Sequence, residues 1–169
     1  ALQKGSENLA AHIDNLHKFG VPVVVAINHF YADTDAEIEF VEKFCKEKGA
    51  DFAVTKCFTE GGAGSEELAK KVMSACEKEN DFRFLYDIDT PIYEKIDTIA
   101  REIYGADGVE YTKEAKKSID EFIKLGCDNM PVCMAKTQYS LSDNPALLGR
   151  PHGFKITVSS ASLSNGAGF

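Results

Sequence analysis

Residues 21–33, with the sequence VPVVVAINHFYAD, decide the fold that we expect for this chain. The first half of the stretch is apolar without interruption, a pattern typical of a strand that is covered on both faces. Strands of that kind belong to parallel α/β sheets, whose ligands bind beyond the carboxyl ends of the strands. We therefore expect Asn28, Phe30 and Asp33, which follow the apolar run, to lie at a ligand site.

A second stretch, FTEGGAG at 58–64, occupies the corresponding place after the next apolar run at 52–54. We interpret the two stretches as neighbouring strand ends that face one pocket. Glycine lets a backbone approach a ligand closely, and a glycine loop before a helix can hold an anion on its N–H groups. A tight turn before the helix is the other role open to these glycines, and the two roles are compatible. They are Gly61, Gly62 and Gly64.

The composition excludes several classes of protein. Of the 169 residues, 44% are hydrophobic and 27% are charged, which is typical of a soluble globular chain. The net charge of −8, with basic and acidic residues interleaved, argues against a nucleic-acid surface. Apolar runs are far shorter than the roughly 20 residues of a membrane-spanning helix, and no signal peptide pattern precedes the first helix. We expect a cytoplasmic protein without a membrane or nucleic-acid partner.

The cysteines indicate neither a metal site nor a disulfide framework. The five of them include no CxxC pair and have no histidine at metal-ligand spacing. Buried thiols in a reducing cytosol are the expected state, with a reactive cysteine as the alternative.

Apolar periodicity predicts five helices and five short strands. The helices are expected to begin at Ser6, at Asp33–Asp35, at Ser65, at Pro91 and at Thr112. The third of them is expected to turn four side chains inward, namely Leu68, Val72, Ala75 and Cys76. The strands are expected at 21–27, 50–55, 81–89, 130–135 and 154–159.

This order of elements predicts an α/β fold with a mainly parallel sheet, helices on both faces and a Rossmann-like arrangement. From residue 130 the sequence becomes turn-rich and includes a long polar stretch at 136–151. We therefore expect an α/β domain with the pocket at 1–129 and a smaller C-terminal α+β lobe at 130–169. Because the chain lacks an initial methionine and ends in a Gly-rich sequence, we expect a piece of a longer protein with an incomplete last lobe.

Four separated stretches carry a resemblance to a known family. They are AINHFYADTDAE at 26–37, KCFTEGGAGSEELA at 56–69, YDIDTPIYEKIDTIAREIYGADGVEYT at 86–112 and GCDNMPVCMAKTQYSLSDNP at 126–145. In this order they resemble formate–tetrahydrofolate ligase, or formyltetrahydrofolate synthetase, a relative of the P-loop class. The resemblance covers essentially the whole chain. It implies an ATP-dependent enzyme that forms 10-formyltetrahydrofolate from formate and tetrahydrofolate through formyl phosphate.

The resemblance also implies what this sequence lacks. Family members are homotetramers of longer chains with a phosphate-binding P-loop, and no G-x-x-x-x-G-K-S/T pattern occurs here. We therefore expect an internal-to-C-terminal fragment that is inactive alone, with no catalytic residue and no ligand for the Mg²⁺ that accompanies ATP. Its expected partners are the small molecules folate, ATP and formate.

In the family, the pterin or adenine ring lies between two aromatic side chains, which match Phe30 and Phe58. Many members have tryptophan at the second position, so Phe58 offers a smaller stacking face. Stacking contributes on the order of 1–3 kcal/mol per face. The alternative is that both phenylalanines belong to the hydrophobic core.

The resemblance suggests further contacts. Asn28 and Asp33 resemble the Asn-Lys-x-Asp element with which P-loop relatives hold a purine edge, although His29 replaces the lysine and Asp33 comes two positions late. The Asn amide can donate and accept at a ring edge, whereas an N-cap is the alternative for Asp33. Lys136 matches a family stretch near the active-site cleft and would pair with folate carboxylates or phosphate. Its alternative is a solvated surface lysine.

Two other functions compete with the ligase fragment. A nucleotide-binding or interaction module without chemistry of its own is the main alternative. An NAD-linked dehydrogenase needs G-x-G-x-x-G after the first strand, and we exclude it because Asn28-His29-Phe30 occupies that place.

Overall fold

The computed structural model describes residues 1–135 and 140–169. The chain divides into two compact units, Ala1–Arg83 and Phe84–Phe169. Each unit contains two parallel strands together with helices, so the predicted α/β class is confirmed, with small sheets. The assignment of domains to 1–129 and 130–169 stays a prediction.

The first unit is built on one parallel pair of strands. Its elements are α1 (Leu2–Lys18), β1 (Val24–Asn28), α2 (Asp35–Glu47), β2 (Asp51–Thr55), α3 (Cys57–Glu60), a 3-10 helix (Gly61–Ser65) and α4 (Glu66–Glu77). Strands β1 and β2 are in register from Val24 opposite Asp51 to Asn28 opposite Thr55. Apolar side chains of α1 and α2 pack on the strands and bury Cys45 completely. This core fixes the strand ends that carry the candidate site.

Two local predictions for this unit are wrong, and a third is confirmed in its position. Helix α1 begins at Leu2, and the hydroxyl of Ser6 is inside the helix, where it donates to the Leu2 carbonyl at 3.0 Å. Ser65 stands at the N-terminus of α4 but makes no capping hydrogen bond with its side chain. Val72 and Cys76 of α4 are exposed, since a sheet of two strands is too narrow to cover the whole apolar side of this helix.

The second unit contains the other parallel pair. Its elements are α5 (Ile92–Glu102), β3 (Val109–Tyr111), α6 (Lys113–Lys124) and β4 (Ile156–Val158). Val109 lies opposite Ile156 in the pair. Ile92, Ile96 and Ile119 form the buried core between the helices and strands, and the first two belong to an isoleucine stripe along one side of α5.

The predicted strands at 81–89 and 130–135 are wrong, because neither segment is extended in a sheet. In the second segment, side chains take the place of a strand partner. The Tyr86 hydroxyl accepts from the Val132 N–H at 3.0 Å, and the Tyr104 hydroxyl donates to the Met134 carbonyl at 3.0 Å. Backbone groups that a sheet would have paired are therefore satisfied without one.

Candidate functional site

The ends of β1 and β2 lie side by side in the first unit. Asn28 is level with Thr55, and the His29 N–H donates to the Thr55 carbonyl at 2.9 Å. Because the strands are parallel, the loops that follow them leave from the same edge. The predicted meeting of the two strand ends is confirmed by this register.

The first loop is closed by a pair of hydrogen bonds between residues three apart. The Phe30 N–H donates to the Asp33 carboxylate at 2.8 Å, and the Asp33 N–H donates to the Phe30 carbonyl at 3.0 Å. Asp33 is therefore not the N-cap of α2. That position belongs to Thr34, whose hydroxyl accepts from the Glu37 N–H while the Glu37 carboxylate accepts from the Thr34 N–H. These bonds to Thr34 lower the pKa of Glu37.

The second loop is closed by contacts between its two ends. The Lys56 N–H donates to the Gly64 carbonyl at 2.8 Å, and the hydroxyls of Thr55 and Ser65 are hydrogen-bonded at 2.9 Å. This bond explains why Ser65 does not cap α4. Together the contacts hold the loop from Cys57 onward against the end of β2.

The three glycines of this loop have different structural requirements. At Gly64, an added Cβ would lie 2.6 Å from the Lys56 backbone, so the loop closes only with glycine there. Gly61 has φ of +60°, a conformation that side chains disfavour. Gly62 has neither restriction, since space around its Cβ position is open and its φ is not positive. The turn requires glycine at Gly61 and Gly64 and does not require it at Gly62, while close approach of a ligand stays a prediction for all three.

Phe30 and Phe58 come together at the mouth of the two loops. Their ring centroids are 6.4 Å apart and their planes are tilted by 40°. The rings are exposed, with 50% of Phe30 and 81% of Phe58 accessible, so the alternative that both belong to the core is wrong. Two rings that enclose a third need about 7–8 Å between centroids, so a ligand would have to move one ring by about 1 Å and turn it parallel. The exposure of Phe58 leaves room for that movement.

The remaining residues that were predicted to contact the ligand differ in where they lie. Asn28 is exposed at the end of β1, at the same edge as the phenylalanines. His29 is partly buried next to it. Lys136 lies outside the described residues. The Asp33 carboxylate shapes the backbone of Phe30 and thereby acts on the ring indirectly.

Sequence reasoning missed a buried charge in the second unit. Lys95 is fully buried on α5, and its ammonium donates to the carbonyls of Asp128 and Met130 at 2.8 and 3.0 Å. Burial lowers the pKa of Lys95, and the nearby carboxylate of Asp128 acts in the opposite direction. A signal was visible, because Lys95 falls on the isoleucine stripe between Ile92 and Ile96.

Metal-binding clusters and membrane-spanning helices are both absent from the part of the chain that the structure describes. Across 1–135 and 140–169, no group of three or more His, Cys, Asp or Glu side chains is arranged to hold a metal ion. Within the same residues, no helix combines the length and the apolar character needed to cross a membrane.

Comparison with known families agrees with the resemblance that the four sequence stretches carry. A family model described as formate–tetrahydrofolate ligase matches residues 1–169. That match extends over the full 169-residue sequence and includes both loops of the candidate site. The chain therefore belongs to the formate–tetrahydrofolate ligase family.

Proposed function

We infer that this chain supplies the ring-binding wall of a formate–tetrahydrofolate ligase. In the proposed reaction, a formate oxygen attacks the γ-phosphorus of ATP and releases ADP. N10 of tetrahydrofolate then attacks the formyl carbon of formyl phosphate and releases phosphate, which leaves together with the N10 proton. The role of the residues described here is to hold a flat heterocycle, pterin or adenine, in the position that these steps need.

The observation that carries this proposal is the exposed pair of Phe30 and Phe58 at adjacent ends of parallel strands. Exposed aromatic rings that lie together favour a binding surface, since burying them would stabilise the fold if they had no other role. A planar guest between them gains stacking and dispersion on both faces. The rings are 6.4 Å apart without a guest, so binding includes a small opening of the pair.

The two loops support the rings in different ways. Hydrogen bonds between Phe30 and Asp33 fix the backbone that carries the first ring. Around Gly62, open space lets a ligand edge approach the backbone of the second loop. Asn28 is then available for hydrogen bonds to the ring edge, because its amide both donates and accepts. Phosphoryl transfer is assigned to other parts of the enzyme, and we expect this chain alone to bind without turnover.

Calorimetric titration with ADP and with tetrahydrofolate tests the proposal. We expect binding of at least one of them, weakened in Phe58→Ala by roughly 5- to 150-fold, which corresponds to about 1–3 kcal/mol of lost stacking. Phe84→Ala is a matched control, because Phe84 is also 81% exposed but lies in the second unit. Absence of binding to both ligands, or equal affinities for the wild type and Phe58→Ala, would contradict the proposed wall.

A second assay addresses turnover. Incubation of the chain with formate, ATP, Mg²⁺ and tetrahydrofolate should give no 10-formyltetrahydrofolate. Formation of that product by this chain alone would show that the phosphoryl-transfer residues are within the 169 residues.

A further inference from the structure

The second unit contains a cavity of about 400 Å³ that the candidate site does not use. This volume is within the roughly 300–1,000 Å³ of small-molecule pockets. Helices α5 and α6, the segment at 127–135 and the residues at 156–163 all contribute to its lining. The cavity is therefore built without any residue of the loops that carry Phe30 and Phe58.

The lining of this cavity is apolar and without charge. Its floor includes Ile92, Ile96 and Ile119, the buried core of the unit. Among the described residues that line it, none is Asp, Glu, Lys, Arg or His. An ionic ligand would lose its hydration there without gaining a partner of opposite charge, which is costly. The lining therefore favours an uncharged, apolar guest.

Hydrogen bonds hold two walls of the cavity in place. The hydroxyls of Tyr86 and Tyr104, which bond the backbone of the segment at 130–135, fix one wall. The Thr112 hydroxyl fixes the other, because it donates to the Ser159 carbonyl at 2.7 Å. A guest that enters between fixed walls binds with little ordering of the protein.

Two free cysteines line the same cavity. Cys127 is half-buried and Cys133 is exposed. A guest in the cavity is held beside their thiols, which raises the effective concentration of any electrophile that it carries. Cys57 and Cys76 are also exposed, but neither is among the described residues of the lining. The cavity thus distinguishes one pair of thiols from the other exposed ones.

We propose that this cavity binds an uncharged, apolar small molecule and that Cys127 or Cys133 captures it covalently when it carries an alkene conjugated to a carbonyl. The thiol sulfur forms a bond to the alkene carbon farther from the carbonyl. The electron pair of the alkene moves to the nearer carbon, which takes the thiol proton. No group leaves and no oxidant is needed. The proposal is independent of the ring-binding wall.

Two maleimides that differ by one carboxylate test the capture. N-phenylmaleimide is neutral, whereas N-(4-carboxyphenyl)maleimide carries a charge on the same ring. Peptide mass spectrometry gives the rate of modification at Cys127 and Cys133, divided by the rate at Cys76 so that the intrinsic reactivity of each reagent cancels. We expect this relative rate to be at least about 10-fold higher for the neutral reagent, the gain from burying an aromatic ring. In unfolding concentrations of urea, the preference should disappear.

Competition and a filled cavity locate the effect. Toluene, an apolar molecule without an electrophile, should slow N-phenylmaleimide at Cys127 and Cys133 and not at Cys76. Ala161 lines the cavity, so Ala161→Leu should reduce its volume and the preference for the neutral reagent. Ala69→Leu is the matched control, because Ala69 is exposed on α4 in the first unit. Unfolding temperatures check that both variants fold, and the toluene experiment needs neither of them.

The possible outcomes either support the cavity or overturn it. Equal relative rates for the two maleimides in the wild type would overturn the proposal. A preference that persists in urea would also overturn it, since the preference would then come from the local sequence. Toluene that slows neither thiol, or that slows Cys76 equally, would show that the reagent does not enter the cavity before it reacts.

Discussion

Replacing Lys95 with methionine tests how the second unit is held together. The substitution removes the ammonium and keeps most of the volume of the stem. In the wild type, this buried group donates to the carbonyls of Asp128 and Met130, and it lies 6.0 Å from the centroid of the Tyr86 ring. Asp128 also accepts from the Ile92 N–H through its carboxylate. The Lys95 side chain thus joins α5 to the segment after α6.

The expected cost follows from these contacts. Each hydrogen bond from a charged donor contributes about 1.5–3 kcal/mol, so the two together contribute about 3–6 kcal/mol. The desolvation of the ammonium, which lowers the pKa of Lys95, offsets part of this. We expect Lys95→Met to lower the free energy of unfolding by about 2–3 kcal/mol.

Urea unfolding followed by tyrosine fluorescence measures this change. The chain has no tryptophan and six tyrosines, of which only Tyr31 precedes residue 84, so the signal reports chiefly on the second unit. Lys117→Met on α6 is the matched control, because this lysine is exposed. Its effect should be within about 0.5 kcal/mol. A Lys95→Met chain as stable as the wild type would refute the reasoning, since the ammonium would then contribute nothing net.

The difference in stability between the wild type and Lys95→Met should depend on pH. Burial lowers the pKa of Lys95 from 10.5, so the folded chain releases this proton at a lower pH than the unfolded chain does. Between the two pKa values the unfolded state binds more protons, and stability from this group rises with pH. The wild type should therefore gain stability over Lys95→Met as the pH approaches 10.5. A difference that shrinks with pH would contradict the lowered pKa.

Three further predictions concern the first unit. Gly64→Ala should lower the unfolding temperature clearly, because its Cβ would meet backbone at 2.6 Å, whereas Gly62→Ala should leave it unchanged; equal effects would count against the loop closure. Thr34→Ala should cost about 1 kcal/mol in urea unfolding. Because hydrogen bonds to Thr34 lower the pKa of Glu37, the stability that its carboxylate adds to this cap should be lost as the pH falls below 4.5. A free energy of unfolding that does not change over this acid range would contradict the role of Glu37 in the cap. Cys45 should resist a thiol reagent until unfolding while the exposed cysteines react, and rapid labelling of all five would show that this core is open.

Local chemistry made much of the first unit predictable. The apolar run before Asn28 specified β1, and the order of elements placed the end of β2 beside it. The N-cap of α2 was uncertain among three neighbours, yet Glu37 three residues after Thr34 is the capping-box spacing that identifies it. These features depend on residues close in sequence, so pattern reasoning reaches them.

Long-range side-chain contacts explain most of the errors. The segment at 130–135 is apolar enough for a strand, but Tyr86, 46 residues before Val132, takes its hydrogen bonds. Periodicity contains no information about such a partner. Likewise, the sequence could place Phe30 and Phe58 at neighbouring strand ends, whereas their tilt and spacing depend on loop closures that involve Gly64 and Ser65.

The turn that carries Phe30 is self-contained. Its shape comes from bonds between Phe30 and Asp33 and from the cap formed by Thr34 and Glu37, all within eight consecutive positions. Because these bonds are local, substitutions elsewhere in the unit leave the hydrogen bonds of the turn in place. Grafted after the strand of another parallel β–α unit, this octapeptide should present its aromatic ring in the same way, which makes it a portable turn for protein engineering.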